Sequence, residues 1–458
     1  MPITDSLFLD AEGRERPMHV GGLQLFRPPP DAGPDFVGRM LQATIAQSDI
    51  DPRLRRRAVR MGAVGPWAWE EDVNLDLEYH VRHSALPHPG RVRELLALAS
   101  RLHGTMLHRS RPLWEAHLIE GLEDGRFALF TKMHHALIDG MSGMKMLQDM
   151  LSDDPDERDM PPPLSPPQRP PRGERHSERG NPLRRVADLV GGTVAVTKGV
   201  GKAVLGSSEA ALKTVWKSFG DQAVALPYQA PRSILNQPIT GSRRFAAQSY
   251  STARIAAVRK AQNATLNDVV MGMCAGALRR YLLDLDALPE APLVACVPVS
   301  LRRPEDAGGG NSVGVVLCNL GTHLADPQKR FEMVRHSMEQ GKISFQGLSQ
   351  GGMILLSGLT FAPLALGPLF RFDALRKPPF NLIISNVPGP QRPMYYNGAR
   401  LVGSYPLSIP TDGQAMNITV ATNAGNLDVG ITGCRRTLPH LQRLLDHLDE
   451  SLSELEKL

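Results

Sequence analysis

The stretch RFALFTKMHHALIDG, residues 126–140, decides the interpretation of this chain. Its first half is mostly apolar and aromatic, which is typical of a buried strand. WEAHLI and the turn-like GLEDG precede it, so the pattern predicts a hairpin whose second strand runs into two adjacent histidines. After Gly140, apolar residues recur at helical spacing: Met144, Leu147 and Leu151. The histidines are therefore predicted to lie on a loop between a strand end and a helix start.

The histidines of this loop are candidates for acid–base chemistry. An imidazole with a pKa near ~6.5 can take a proton and later return it. We predict His135 as the catalytic group and His134 as its structural support. Asp139 is too close to His135 in sequence to assume a contact with its ring, so we expect it to anchor the loop through an arginine ion pair and backbone hydrogen bonds. Gly140 would leave space for a substrate.

A proline-rich, charged stretch divides the chain. Residues 155–180, PDERDMPPPLSPPQRPPRGERHSERG, lack apolar periodicity, which is typical of a solvated linker with polyproline II character. A length of 458 residues is consistent with two large domains. We therefore predict an N-terminal domain over 1–154, a linker and basic crossover segment over 155–240, and a C-terminal domain over 241–458.

Both halves alternate strands with helices, which predicts layered α/β domains. Before the linker, helical stripes begin at Phe36 and Val92. After it, helices are predicted from Thr252, after a cap at Thr265, and from Leu438. The remaining predicted strands are RRFAAQSYS at 243–251, PLVACVPVS at 292–300, SVGVVLCNL at 312–320, NLIISNV at 381–387 and the hairpin MNITVATNAGNLDVGIT at 416–432.

Composition limits the choice of partners. A net charge of +5 fits either an anionic partner, such as a phospholipid surface or a phosphorylated cofactor, or charge scattered for solubility. Aromatic residues are few and no basic run alternates with them, which excludes nucleic acid as the expected partner. The 4 cysteines are far apart, which argues against a zinc site and disulfides and fits a reducing cytoplasm. The N-terminal residues do not resemble a signal peptide.

Two segments are candidates for membrane contact. Residues 351–370 carry no charge, but glycines and two prolines interrupt them, so a buried helix-turn-helix is favoured over contact with a membrane surface. Residues 181–220 have the composition of a basic amphipathic helix, suited to an anionic membrane face or to docking on the protein itself. We expect a cytoplasmic protein, with the inner membrane or lipid inclusions as candidate surfaces for peripheral association.

The HHxxxDG segment resembles the signature of the CoA-dependent acyltransferase superfamily, which includes chloramphenicol acetyltransferase and the condensation domains of peptide synthetases. Other segments narrow the resemblance: PMHVGGLQLF at 17–26, RPLWE at 111–115, TLNDVVM at 265–271, VPVSLR at 297–302, ISNVPGP at 384–390 and DGQAMNIT at 412–419. Together they resemble the bacterial wax ester synthase/diacylglycerol acyltransferase family. The late hairpin departs from the pattern, with ATNAG where relatives often carry an aromatic residue before the Ala-Gly.

The resemblance implies a fold and a reaction. The fold would be two chloramphenicol-acetyltransferase-like α/β sandwich domains with a tunnel at their interface. The reaction would move a fatty acyl group directly from acyl-CoA to a long-chain alcohol or diacylglycerol, with His135 as general base and no covalent acyl-enzyme. Acyl-CoA is then a co-substrate, and no cofactor or metal is expected.

The resemblance also points to a second pair of site residues. Asn267 and Asp268 match the family's Asn-Asp pair and are candidates for substrate binding. Asn267 could donate a hydrogen bond to an oxyanion or orient the substrate. Capping of the helix that follows Thr265 is the alternative role.

Three other functions remain open at this point. Gly347-Leu348-Ser349-Gln350-Gly351 matches the nucleophile elbow of serine hydrolases, a weak match in a chain so rich in glycine. A serine esterase would use Ser349 and would tolerate loss of His135. A non-catalytic lipid-binding protein on the same fold would release no CoA from an acyl-CoA. A peptide-synthetase condensation domain would normally lie beside carrier domains.

Overall fold

A computed structural model of the protein describes residues 1–62, 65–166, 225, 227–300, 313–346 and 377–458. The strands are β1 (His19–Arg27), β2 (Arg56–Arg60), β3 (Trp67–Glu71), β4 (Val81–Ala85), β5 (Trp114–Glu120), β6 (Phe127–His134), β7 (Arg243–Ser251), β8 (Val294–Ser300), β9 (Val313–Asn319), β10 (Leu382–Val387), β11 (Tyr395–Tyr396), β12 (Ala399–Leu407), β13 (Met416–Asn423) and β14 (Asn426–Cys434). The helices are α1 (Ile3–Ala11), α2 (Phe36–Ala46), α3 (Leu77–His80), α4 (Val92–Gly104), α5 (Gly140–Asp149), α6 (Thr252–Ala261), α7 (Leu266–Asp284), α8 (Pro327–Gln346) and α9 (Arg443–Leu455).

The first large sheet has the strand order β11-β12-β1-β6-β5-β4. β5 and β6 form the predicted antiparallel hairpin, and β4 adds to β5 in parallel. β1 lies at the centre, antiparallel to β6 on one side and to β12 on the other. Gly21 and Gly22 of β1 permit close packing, because a Cβ at Gly21 would lie 2.7 Å from the backbone oxygen of Thr131 on β6.

The second large sheet has the order β7-β14-β13-β10-β8-β9. β10 is parallel to both β8 and β13, and the other neighbours are antiparallel. The largest apolar core lies between this sheet and the helices α6, α7, α8 and α9. α7 begins with a capping box between Thr265 and Asp268, which satisfies free backbone N–H groups at its first turn.

The chain crosses between the two sheets at β12. This strand follows β10 and precedes β13, which are both in the second sheet, but it pairs within the first sheet. A Cβ at Gly430 of β14 would collide with the backbone oxygen of Pro406 on β12, so the two strands approach closely. At the same junction Asp428 accepts hydrogen bonds from Ser249 Oγ at 2.5 Å and Ser404 N at 2.6 Å. Burial raises the pKa of this carboxyl. The junction is therefore a buried, hydrogen-bonded contact.

The α/β class is confirmed, and so are the strands and helices predicted within the described residues, with one difference. The last helix begins at Arg443 and not at Leu438, because a turn follows β14 first. β1 was not predicted from sequence, and neither was the transfer of β12 to the first sheet. The predicted domain boundaries stay predictions, since 167–224 lies outside the described residues.

The first part of the predicted solvated linker packs against the protein. Leu164 is 3% exposed and joins the apolar cluster beneath α2, and Met160 packs against the same cluster. The backbone N–H of Met160 donates to Asn397 Oδ1 at 2.8 Å. Two apolar side chains among the prolines thus hold this segment down. The uncharged stretch 351–370 and the basic segment 181–220 lie outside the described residues, and among the helices that are described none is long and apolar enough to cross a bilayer.

Candidate active site

The two histidines lie where the sequence predicts, at the end of β6 and before α5. Asp139 is the N-cap of α5, and its carboxylate accepts hydrogen bonds from Ser142 N at 2.8 Å and Ser142 Oγ at 3.0 Å. A side chain that caps a helix in this way satisfies one of the free N–H groups of its first turn. The loop is therefore anchored by the cap of the helix that follows it.

His135 is half-buried at this loop. Its backbone N–H donates to Met18 O at 2.9 Å. Its ring stacks on Phe8 of α1, with centroids 4.1 Å apart and planes 22° apart. Burial lowers the pKa of His135 to about 4, although the Asp139 carboxylate and the histidine's own backbone carbonyl act in the opposite direction. The imidazole is therefore neutral at pH 7 and available as a base.

His134 is completely buried. Its Nδ1 accepts a hydrogen bond from Ala136 N at 3.1 Å, so the neutral ring carries its proton on Nε2. Nε2 lies 3.5 Å from the Glu12 carboxylate, which is itself buried and pairs with Arg109 at 3.0 Å. Burial disfavours the charge on Glu12, but His134 and Arg109 together with the N–H of Met18 hold its pKa below the ordinary value.

A second buried ion pair lies on the same strands. Lys132 of β6 faces Glu115 of β5 at the same register position, and Nζ is 3.2 Å from Glu115 Oε2. Nζ also donates to the carbonyls of Leu102 and Thr105, at 3.0 and 2.8 Å. Burial opposes ionisation of Glu115, yet its hydrogen bonds and charged neighbours lower its pKa to about 2. Such a pair is costly to break, since removal of one partner leaves an uncompensated buried charge.

The helix that follows the histidines contacts the second sheet. Met144 and Leu147 of α5 pack against Val387 of β10 and Ala421 of β13. Gln148 Nε2 donates to the carbonyl of Pro388 at 3.2 Å. The motif and the ISNVPGP segment are therefore neighbours at the junction of the two halves.

Asn267 and Asp268 have different environments. Asp268 is the second half of the capping box at α7, with Oδ2 accepting from Thr265 N at 2.8 Å. This geometry matches the alternative role of helix capping. Asn267 is half-buried, and its Oδ1 accepts from Asn386 Nδ2 at 2.7 Å. It thus contacts the ISNVPGP segment beside the motif helix.

Gly140 faces open space. A Cβ built at this position meets no atom within 4 Å, in contrast to Gly143 one turn later, where it would lie 3.8 Å from Ile138. Ser349 lies outside the described residues. Within the described ranges, no group of three or more histidine, cysteine, aspartate or glutamate residues could hold a metal ion.

Phe8, Glu12 and Lys132 are parts of the site that the sequence did not reveal. A lysine side chain is normally exposed, yet Lys132 lies within a mostly apolar strand. This was the one signal in the sequence that pointed to a buried charge. Phe8 and Glu12 lie on or just after α1, and no local pattern connects them with the histidines. Their contacts depend on how α1 docks.

The architecture is shared with a known class of proteins. The first condensation domain of the calcium-dependent antibiotic synthetase superposes with a TM-score of 0.54, covering 99% of this chain and 94% of that one. Its sequence identity of 18% limits the comparison to the fold. The chain therefore has a condensation-domain-type α/β fold.

Sequence comparison makes the assignment specific. The model for the wax ester synthase/diacylglycerol acyltransferase catalytic domain matches residues 1–270, and the model for the C-terminal domain of the same family matches residues 309–456. The chain belongs to the wax ester synthase/diacylglycerol acyltransferase family.

Full-length relatives agree with this. A Mycobacterium tuberculosis protein whose name reads "probable diacylglycerol O-acyltransferase" is 50% identical over 455 residues, covering 99% of this chain and 98% of that protein. The solved wax ester synthase/diacylglycerol acyltransferase of Marinobacter aquaeolei is 42% identical with a TM-score of 0.78, covering 99% of this chain and 98% of that one. The similarity thus spans both halves of the chain.

The buried Glu12 carboxylate provides a test of the contacts behind the motif. We expect Glu12→Gln to lower the free energy of unfolding by ~1–2 kcal/mol at pH 7, because it removes the buried, charged acceptor that pairs with the part-exposed Arg109. Since the pKa of Glu12 is lowered in the folded protein, its contribution is full above the ordinary value of 4.5 and is lost as pH falls through the folded value. The difference from wild type, measured by urea unfolding at several pH values, should therefore shrink below pH ~4.5.

The matched control is Glu339→Gln, at an exposed glutamate of α8. It should leave the unfolding free energy within ~0.5 kcal/mol of wild type. If Glu12→Gln were as stable as this control at pH 7, the buried carboxylate would contribute nothing to folding.

Proposed function

We propose that the protein transfers a fatty acyl group from acyl-CoA to the hydroxyl of a long-chain alcohol or diacylglycerol, with His135 as the general base. The observation that carries the proposal is the position of His135: a half-buried imidazole directly after β6, on the HHxxxDG loop of a family member. Acyl-CoA is a co-substrate here, and the residues of the chain provide the acid–base chemistry.

The proposed step is a direct transfer. The neutral imidazole of His135 takes the proton of the acceptor hydroxyl while the hydroxyl oxygen attacks the thioester carbonyl. A C–O bond forms, the tetrahedral intermediate collapses and the C–S bond breaks. The imidazolium then returns its proton to the departing CoA thiolate, which leaves an ester and free CoA.

The neighbouring residues have supporting roles in this proposal. His134 is a structural support, because both of its ring nitrogens face protein groups in the interior. Asp139 anchors the loop by capping α5, and its charge favours the imidazolium that forms during the reaction. Gly140 leaves space for substrate. Asn267 is a candidate for orienting substrate, and Asp268 acts through the cap of α7.

The position of the site suggests how substrates reach it. α5 packs against β10 and β13, so His135 lies close to the junction between the predicted domains 1–154 and 241–458. We propose that acyl-CoA and the acceptor meet in a tunnel at this junction. A hydrophobic acceptor also makes peripheral association with the inner membrane or with lipid inclusions part of the proposal.

Substitution of His135 and of Ser349 distinguishes this proposal from a serine esterase. His135→Ala should lower kcat by about 100-fold to 10,000-fold, because the hydroxyl loses its base. Ser349→Ala should retain wild-type activity. Release of free CoA from palmitoyl-CoA with hexadecanol or a diacylglycerol, followed with a thiol reagent, measures both variants.

The reverse pattern, an active His135→Ala and an inactive Ser349→Ala, would favour the esterase. No release of CoA by the wild-type protein with any acceptor would favour a lipid-binding protein. Circular dichroism and thermal unfolding show whether each variant is folded.

Gly140 gives a second test, since its open side differs from the packed side of Gly143. Gly140→Val should lower kcat/KM about 10-fold through obstruction of the substrate, while Gly140→Ala should keep or raise stability by up to ~1 kcal/mol. Gly143→Ala on the same helix should leave kcat/KM unchanged. Equal kcat/KM for wild type and Gly140→Val would mean that substrate does not use this space.

The acceptor is tested by competition. Labelled palmitoyl-CoA is offered to the full-length protein with equal amounts of hexadecanol and a diacylglycerol, and the labelled esters are separated by thin-layer chromatography. The name of the Mycobacterium tuberculosis relative leads us to expect more triacylglycerol than wax ester. A product consisting of wax ester alone would reverse this preference.

A further inference from the structure

An aromatic ring from the N-terminal helix covers one face of the candidate catalytic imidazole. The ring of Phe8 lies 4.1 Å from that of His135, centroid to centroid, and the planes differ by 22°. Stacking of aromatic rings stabilises their relative orientation beyond the burial of their area. The contact covers a face of the imidazole, whereas the ring nitrogens lie on its edge.

Helix α1 is held in place by the two residues that follow Phe8. Arg109 Nη2 donates to the carbonyl of Leu9 at 2.7 Å, and Trp67 Nε1 donates to Asp10 Oδ1 at 2.9 Å. Leu9 is 1% exposed and fills a small apolar cluster that includes Ala136 of the motif loop. These contacts hold the helix in addition to Phe8, whose half-buried side chain packs against the same cluster.

We propose that Phe8 is a positioning residue for the reaction: it fixes the plane of the His135 imidazole and shields one ring face from water, so that substrates approach from the other side. The proposal rests on the proposed function of His135. Phe8 acts through the imidazole and touches none of the reacting atoms. It therefore adds α1 to the parts of the chain that form the site.

Two physical effects follow from the stack. A ring held in one plane keeps its free nitrogen aimed at the acceptor hydroxyl, and small errors in this aim reduce rates strongly. An apolar ring over the imidazole also disfavours the charged form, which keeps the base neutral. The charged or titratable groups that act on His135 are Asp139 and His134, and substitutions of Phe8 leave both unchanged.

Three substitutions separate these effects. Phe8→Ala removes the ring and admits water, so kcat should fall about 10-fold to 100-fold. In this variant the acid limb of the pH profile, where kcat/KM falls as His135 becomes protonated, should move from near pH 4 toward the ordinary histidine value of 6.5. Phe8→Leu keeps an apolar cover without a flat ring, so kcat should fall while the acid limb stays low. Phe8→Tyr keeps the ring and should retain both the wild-type kcat and the low acid limb.

The control is Leu7→Ala, because Leu7 is the exposed neighbour on the same helix and should leave rates and pH profile unchanged. A structural role alone would lower the yield or stability of Phe8→Ala and leave the acid limb of the folded fraction in place. Wild-type kcat and an unmoved acid limb in Phe8→Ala would overturn the proposal, as would a Phe8→Leu variant equal to wild type.

His135→Ala is assayed in parallel to distinguish the two proposals. If His135→Ala is inactive and the Phe8 variants match wild type, the proposal for Phe8 is wrong and the proposed function stands. If His135→Ala retains activity, the proposed function itself is wrong. If Phe8→Ala does not fold, the comparison of Phe8→Leu with Phe8→Tyr still decides the question.

Discussion

The pairing of β1 with two partners is the constraint on which the rest of this structure depends. On one side β1 pairs with β6, and His19 lies opposite His134 in the register. On the other side it pairs with β12, which arrives from beyond β10. A shift of one residue in this pairing would turn every side chain of the strand to the opposite face. The position of the histidine loop relative to the second sheet is thus set by backbone hydrogen bonds through β1.

Buried charges then hold the end of β6 in place. Lys132 and Glu115 pair across neighbouring strands, and Glu12 bridges Arg109 and His134 behind the loop. Buried ion pairs give little net stability compared with apolar residues, but they penalise any arrangement that separates them. They therefore disfavour arrangements in which the end of β6 leaves this position. A half-buried imidazole gains a defined orientation from such a frame, and its low pKa follows from the same burial.

Residues from both halves of the protein lie near His135. The loop comes from the first sheet, while α5 packs on β10 and β13 of the second. Asn267 reaches the same region through its hydrogen bond with Asn386. A site built at a junction can bring together two substrates of different polarity, since each half can line part of the approach. The family's division into a catalytic and a C-terminal region, matched at 1–270 and 309–456, therefore does not mean that the C-terminal region is remote from the site.

The sequence by itself determined the α/β class, the β5–β6 hairpin, the loop with His134 and His135, and the helix that begins at Gly140. These features depend on periodicity, turns and caps within a few residues, so they can be read locally. Only the tertiary structure decided that β12 joins the first sheet, that Lys132 is buried, and that Phe8 and Glu12 contact the two histidines. Each of these depends on contacts between residues far apart in the chain, and a local pattern carries no information about which distant partner will satisfy a buried charge or cover a ring.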